Sequence, residues 1–176
     1  TNILRLLADR DCSVVVLPAR TAPSVALSYN PDGIFFSNGP GDPEPCKYAV
    51  EAIREFSELK IPLFGICLGY QLMALAFGGQ TRKMKFGHHG ANHPVREISS
   101  GKILITSQNH GFVVEEESLP SVLEITHRSN FDNTLQGFKH KNLPIIGFQG
   151  HPEASPGPHD LRELFNEFVG FFGGSD

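Results

Sequence analysis

Four short runs, SVVVL at 13–17, GIFFS at 33–37, PLFGI at 62–66 and PIIGFQ at 144–149, are apolar at nearly every position instead of at alternate ones. A strand with one face in water alternates apolar and polar residues. Continuous runs of this length therefore predict strands covered on both faces, as in a parallel sheet between helices. The intervening segments have helical spacing. Ile3, Leu4, Leu6 and Leu7 share one side of an opening helix that Thr1 or Asn2 caps. A short helical stretch follows at 25–29. Residues 46–59 put Tyr48, Ala49, Ala52, Ile53 and Phe56 on one face. Another helix runs from 68 to about 77, and residues 161–172 close the chain with Phe165, Phe168, Phe171 and Phe172 as core. Strands alternating with helices predict an α/β fold, a mainly parallel sheet with helices on both faces. Residues 78 to about 137, including ILITSQN and TLQGF, are richer in turns and predict short antiparallel additions at one sheet edge.

A chain of 176 residues with 40% hydrophobic content suffices for one buried core, and no repeat or linker divides it, so one domain over residues 1–176 is expected. The net charge of −4 comes from interspersed charges, which argues against a nucleic-acid or anionic-membrane surface. Three cysteines without CxxC spacing suit a reducing compartment, and no long apolar run or signal-peptide layout is present, so the cytoplasm is expected. The first residue is Thr and the sequence opens directly on a helical pattern, so a piece of a longer protein is expected.

In PLFGICLGYQL, Cys67 stands between Gly65 and Gly69, after an apolar strand and before a helix. Small residues two positions to either side permit a sharp strand-to-helix turn, the logic of a nucleophile elbow. A thiol there sits at the positive end of a helix, a placement that favours the thiolate. Cys12 and Cys46 lack this context and read as packing residues. A base held by a third group is offered by GFQGHPEASPGPHD, where His151 and Glu153 lie two residues apart and Pro152, Pro156 and Pro158 stiffen the chain. The carboxylate would orient the imidazole, as in triads on unrelated folds. Strand C-terminal ends share one edge of a parallel sheet, so the two motifs are expected to meet. Oxyanion donors are expected from the N–H of Leu68 and from Gly39-Pro40-Gly41.

Together, NGPGDP, GICLGYQ, SQNHGF and GFQGHPEASPGPHD resemble class I (triad-type) glutamine amidotransferases, whose fold is flavodoxin-like. MKFGHHGANHPV and HPEASPGPHD are similar to the small chain of glutamine-dependent carbamoyl-phosphate synthase. The resemblance covers essentially the whole chain. It implies that Cys67 attacks the side-chain amide of L-glutamine, that protonated His151 assists departure of ammonia, and that Glu153 orients His151. It further implies that Gln71, Asn109, Gly111 and Phe112 hold the glutamine with Leu68, Gly39 and Gly41. The ammonia would pass to a large synthetase subunit that makes carbamoyl phosphate from bicarbonate and ATP for arginine and pyrimidine synthesis. ATP and magnesium are expected on that partner, because this chain has no GxxxxGK[ST] loop, and no cofactor is expected here. Tyr70 stands where this branch commonly has His, which implies altered packing. The family's separate N-terminal domain and first sheet strand have no counterpart in the sequence.

His88, His89, His93 and His110 invite a zinc reading, but GHHGANHP lacks HExxH spacing and a thiolate or carboxylate pattern, so no metal is expected. A loop near a partner interface is expected instead. Arg82, Lys83 and Lys85 read as a solvated strand face. Two other readings compete: an amidotransferase serving a different synthetase, such as one making anthranilate or GMP, and a non-catalytic docking protein. The GHHGANHP segment argues against the first, and the intact Cys67, His151 and Glu153 set argues against the second.

Overall fold

The computed structural model describes residues 2–153 and 162–173. Thr1, Pro156, Pro158 and Leu161, expected to cap, to stiffen and to open the last helix, lie outside the described residues. Helices α1 (Asn2–Ala8) and α2 (Pro23–Leu27) precede strand β1 (Ile34–Phe36); α3 (Lys47–Glu58), β2 (Leu63–Ile66) and α4 (Leu68–Ala76) follow. Four longer strands come next, β3 (Thr81–Glu97), β4 (Ile103–Val114), β5 (Leu123–Ser129) and β6 (Leu135–His140), then β7 (Ile145–Phe148) and α5 (Arg162–Gly170). One sheet runs in the order β1-β2-β7-β6-β5-β3-β4. Strands β1, β2 and β7 are parallel and the rest are antiparallel additions on the β7 side. The expected α/β architecture is the one observed. Among the described residues no helix is long and apolar enough to cross a membrane.

The uniformly apolar strands are explained by what covers them. Leu63 and Ile145 face a cluster with Ile53 and Phe56 of α3 and Met73 of α4, while Phe64, Ile66, Ile146 and Phe148 face Leu6 and Leu7 of α1 and Phe165 and Phe168 of α5. Successive residues of one strand thus enter different cores. Phe165 and Phe168 are essentially buried, and each contributes roughly 2–3 kcal/mol by area. Phe171 and Phe172 are half-buried against the same cluster.

Residues 13–17 depart from expectation. They form no strand, and Val14, Val15 and Val16 are 39%, 53% and 70% exposed. A β-branched run is buried only where a neighbouring strand pairs with it, and no described strand does so here; β1 is the sheet edge. A second departure concerns MKFGHHGANHPV, which lies within the 17-residue strand β3 and is no loop. Register irregularities between Lys83 and His88 and between Gly90 and His93 let this Gly- and His-rich stretch stay paired with β4. The middle region consequently holds longer strands than its turn-rich composition suggests.

Candidate active site

Strand β2 ends at Ile66, and Cys67 turns directly into α4 with φ 53° and ψ −106°. A side chain in this region of backbone space costs about 1–3 kcal/mol and persists only where the surroundings enforce it. They do so here by hydrogen bonds and by lack of space. The Cys67 N–H donates to Phe148 O of β7 at 2.9 Å, and Cys67 O accepts the Gln71 N–H at 3.1 Å, the first bond of α4. A Cβ on Gly69 would collide with Phe36 O, and one on Gly65 would meet the Met73 sulfur and, at 2.7 Å, the Gly69 carbonyl carbon. The two glycines let α4 lie directly on the strand ends, which puts the buried Cys67 at their common edge.

Strand β7 leaves the sheet beside it. The His151 N–H donates to Ser107 O of β4 at 2.9 Å, and the chain then turns so that His151 Nδ1 and Glu153 Oε1 are 2.9 Å apart. Both side chains are 11% exposed. The hydrogen bond to Cys67 and then the one to Glu153 push His151 up to about 10 from an ordinary 6.5, against burial that works the other way. With Nδ1 committed to Glu153, Nε2 is the ring nitrogen left for the thiol. Cys67, His151 and Glu153 therefore form a connected row. The second carboxylate oxygen of Glu153 is buried without a partner among the described residues, while Asn2 of α1 donates its amide N–H to the Glu153 backbone carbonyl. Parallel neighbours bring these strand ends together because their C termini point the same way.

The remaining expected site residues fall on two sides of the thiol. A Cβ on Gly39 would lie 2.8 Å from the Leu68 side chain, so the NGPGDP loop abuts the residue after the nucleophile; Gly41 adopts φ 96° beside open space. From β4, Asn109 O lies 4.0 Å from Cys67 Sγ, and Gly111 borders open space. Gln71 is buried: its amide nitrogen donates to Phe112 O at 2.9 Å and to Gln149 Oε1 at 3.0 Å, which braces the 109–112 segment from beneath.

The family model for class-I glutamine amidotransferases matches residues 1–171. The chain belongs to the class-I glutamine amidotransferase family. This amidotransferase chain is 62% identical over 168 residues to the carbamoyl phosphate synthase small chain of Ralstonia nicotianae, with 96% of this chain and 44% of the relative covered. It is 59% identical over 170 residues to that of Neisseria meningitidis, covering 97% and 45%. It thus spans less than half the length of these curated relatives. The crystal structure of a candidate GMP synthase glutaminase chain from Thermoplasma acidophilum superposes with TM-score 0.83 over 97% of this chain and 86% of its own, at 24% identity, a likeness of fold alone.

The histidines of the amidotransferase hairpin β3–β4 each have a separate partner. His88 Nε2 and Asp132 Oδ2 are 2.8 Å apart, His93 Nε2 and Ser129 Oγ 2.9 Å, and His89 Nδ1 and Asn109 Oδ1 2.9 Å. His110 sits between Gln108 Oε1 and Phe112 O, each at 2.8 Å. Burial pushes His93 and His110 down to about 4, so they are neutral at pH 7. No described group of three or more His, Cys, Asp or Glu side chains is arranged to hold a metal ion. Arg82, Lys83 and Lys85 lie along β3, Lys83 and Lys85 exposed and Arg82 half-exposed. Cys12 and Cys46 are half-buried and pack at the margins of the cores. Tyr70 is fully buried with its ring on Phe138, and burial raises its hydroxyl pKa.

Sequence reasoning missed Asn2 as a brace and the buried glutamines Gln108, Gln136 and Gln149. Gln108 donates to Gln136 Oε1 at 2.9 Å, and Gln149 accepts from Gln71. A polar residue ending the apolar run PIIGFQ was the one local sign of this network.

Proposed function

We propose that this chain hydrolyses L-glutamine through a thioester on Cys67 and delivers the ammonia to a large synthetase subunit, which makes carbamoyl phosphate from bicarbonate and ATP for arginine and pyrimidine biosynthesis. The observation that carries the chemistry is the row Cys67, His151, Glu153, in which a strained turn presents the sulfur to an imidazole held by a carboxylate. Sulfur attacks the side-chain amide carbon of glutamine. The oxyanion is held by the Leu68 N–H and by Gly39 and Gly41. His151 gives its proton to the amide nitrogen as the C–N bond breaks and ammonia leaves. Neutral His151 then takes a proton from water, whose oxygen attacks the thioester carbon, and glutamate departs as Cys67 recovers its proton through His151. Asn109, Gly111, Phe112 and Gln71 shape the pocket that holds the glutamine.

The carbamoyl-phosphate branch is supported by 62% identity to a small chain of that enzyme. ATP and magnesium are assigned to the partner subunit, because this chain carries no phosphate-binding glycine loop. Three unpaired cysteines suit a cytoplasmic protein. The test is labelling of Cys67 with a glutamine-like electrophile, with and without the large subunit. Labelling that glutamine blocks, together with ammonia release that the partner raises, is the expected result. A folded chain whose Cys67 stays unlabelled in both conditions overturns the reading in favour of a docking role.

A further inference from the structure

Three of the four histidines of the β3–β4 hairpin, His88, His93 and His110, are buried, whereas His89 is exposed. It stands directly opposite Asn109 in the ladder, with Nδ1 2.9 Å from Asn109 Oδ1. This pairing belongs to a window in which 88–90 match 110–108, set between the two register irregularities of β3. Bulges on either side of a short matched stretch re-aim side chains without ending the strand. Gly87 completes the device: at φ 68° its missing side chain leaves room for the ring, since a Cβ there would lie 2.7 Å from His89 Nε2 and 2.7 Å from His110 O. The residue so engaged carries the carbonyl 4.0 Å from Cys67 Sγ.

We propose that His89 is a positioning residue for the substrate: its Nδ1–H holds the side-chain oxygen of Asn109 and thereby leaves the Asn109 amide N–H groups to bind the glutamine. The inference rests on the glutaminase reading above and deepens it. An asparagine amide offers one acceptor and two N–H donors. With the acceptor occupied by an imidazole N–H, the amide cannot rotate to present oxygen to the site, and Asn109 is fixed as a donor. Glutamine supplies matching acceptors in its α-carboxylate and its side-chain carbonyl. Both partners are exposed, so the hydrogen bond adds little to folding. Its consequence is orientation, and orientation of a substrate-binding group is read in KM.

The experiment compares wild type, His89→Ala, His89→Asp and His89→Asn in the full-length chain assembled with its large subunit, measuring glutaminase KM and kcat and the melting temperature. Loss of the donor in His89→Ala and His89→Asp is expected to raise KM about fivefold to tenfold while kcat changes less than about twofold and Tm stays close to wild type. His89→Asn, which restores an N–H donor, is expected to recover most of the loss. An unchanged KM for His89→Ala in an enzyme that hydrolyses glutamine overturns this inference alone. A fall in kcat and Tm together in all three variants assigns His89 a packing role and also overturns it. Absence of glutamine hydrolysis in the wild type defeats the glutaminase reading, and this inference with it.

Discussion

The turn after β2 and the turn after β7 stand side by side at one sheet edge, but different forces shape them. At Cys67 the chain is held by close contact: glycines at 65 and 69 let α4 press against β1 and β2, and the residue is confined to a conformation it would not choose. At His151 the chain is held by polar contacts, to Ser107, Glu153 and Cys67, with Asn2 fixing the Glu153 carbonyl from another helix. Steric confinement is insensitive to pH and to single polar substitutions. A polar arrangement responds to both. The nucleophile is thus placed rigidly, and the base is placed by interactions that can be tuned.

The sharpest way to break this comparison is at the thiol. Cys67→Ala and Cys67→Gly should each lower glutamine turnover by more than about a thousandfold. Cys67→Gly should nevertheless be more stable than Cys67→Ala by about 1 kcal/mol in equilibrium denaturation, because glycine accepts φ 53° without strain. Equal stabilities would mean that the turn is not strained. On the other side, Glu153→Gln should lower kcat about a hundredfold while secondary structure is retained; turnover within a few-fold of wild type would remove Glu153 from the triad. Asn2→Ala acts one step further away and should lower kcat about threefold to fivefold by loosening the Glu153 backbone, with KM for glutamine unmoved.

A pH series of urea midpoints gives the smallest effect. His151 has a folded-state pKa of about 10 against an ordinary 6.5, so the native state binds its proton more tightly than the unfolded chain. That contribution is full below pH 6.5 and is lost as pH rises through 10. Glu153→Gln should make the alkaline decline shallower. His93, His110 and His127, pushed down to about 4 chiefly by burial, act in the opposite sense. Their contribution is present above pH 6.5 and is lost as pH falls through 4, so an acid decline should persist in Glu153→Gln. Identical alkaline limbs in both proteins would show that the base is not held by its carboxylate.

The parallel half of the fold was legible because its strands are apolar on both faces: PLFGI and PIIGFQ announce burial at every position. The same signature misled at 13–17, since a run of valines reports the wish to be paired and not the presence of a neighbour. Strand β3 was illegible for the opposite reason. Its His, Gly and Pro residues suit a loop, and its pairing depends on bulges that require β4 to be in place. The triad was readable because a Cys between two glycines and an His-Pro-Glu triplet are local patterns. The bracing of Gln71 by Gln149, and of Glu153 by Asn2, joins residues 78 and 151 positions apart, and no local pattern encodes such a pair.

The Cys67 N–H closes onto Phe148 O within the β2–β7 pairing, where every strand residue is buried. Amide hydrogens in such a place exchange only when the whole domain opens, whereas the backbone around His151 and Glu153 can be released by a local fluctuation of α1. Deuterium uptake should accordingly be slow at Cys67 and faster at Glu153. On warming, the base should come adrift while the nucleophile is still enclosed in a folded sheet, so that turnover fades before circular dichroism reports any melting.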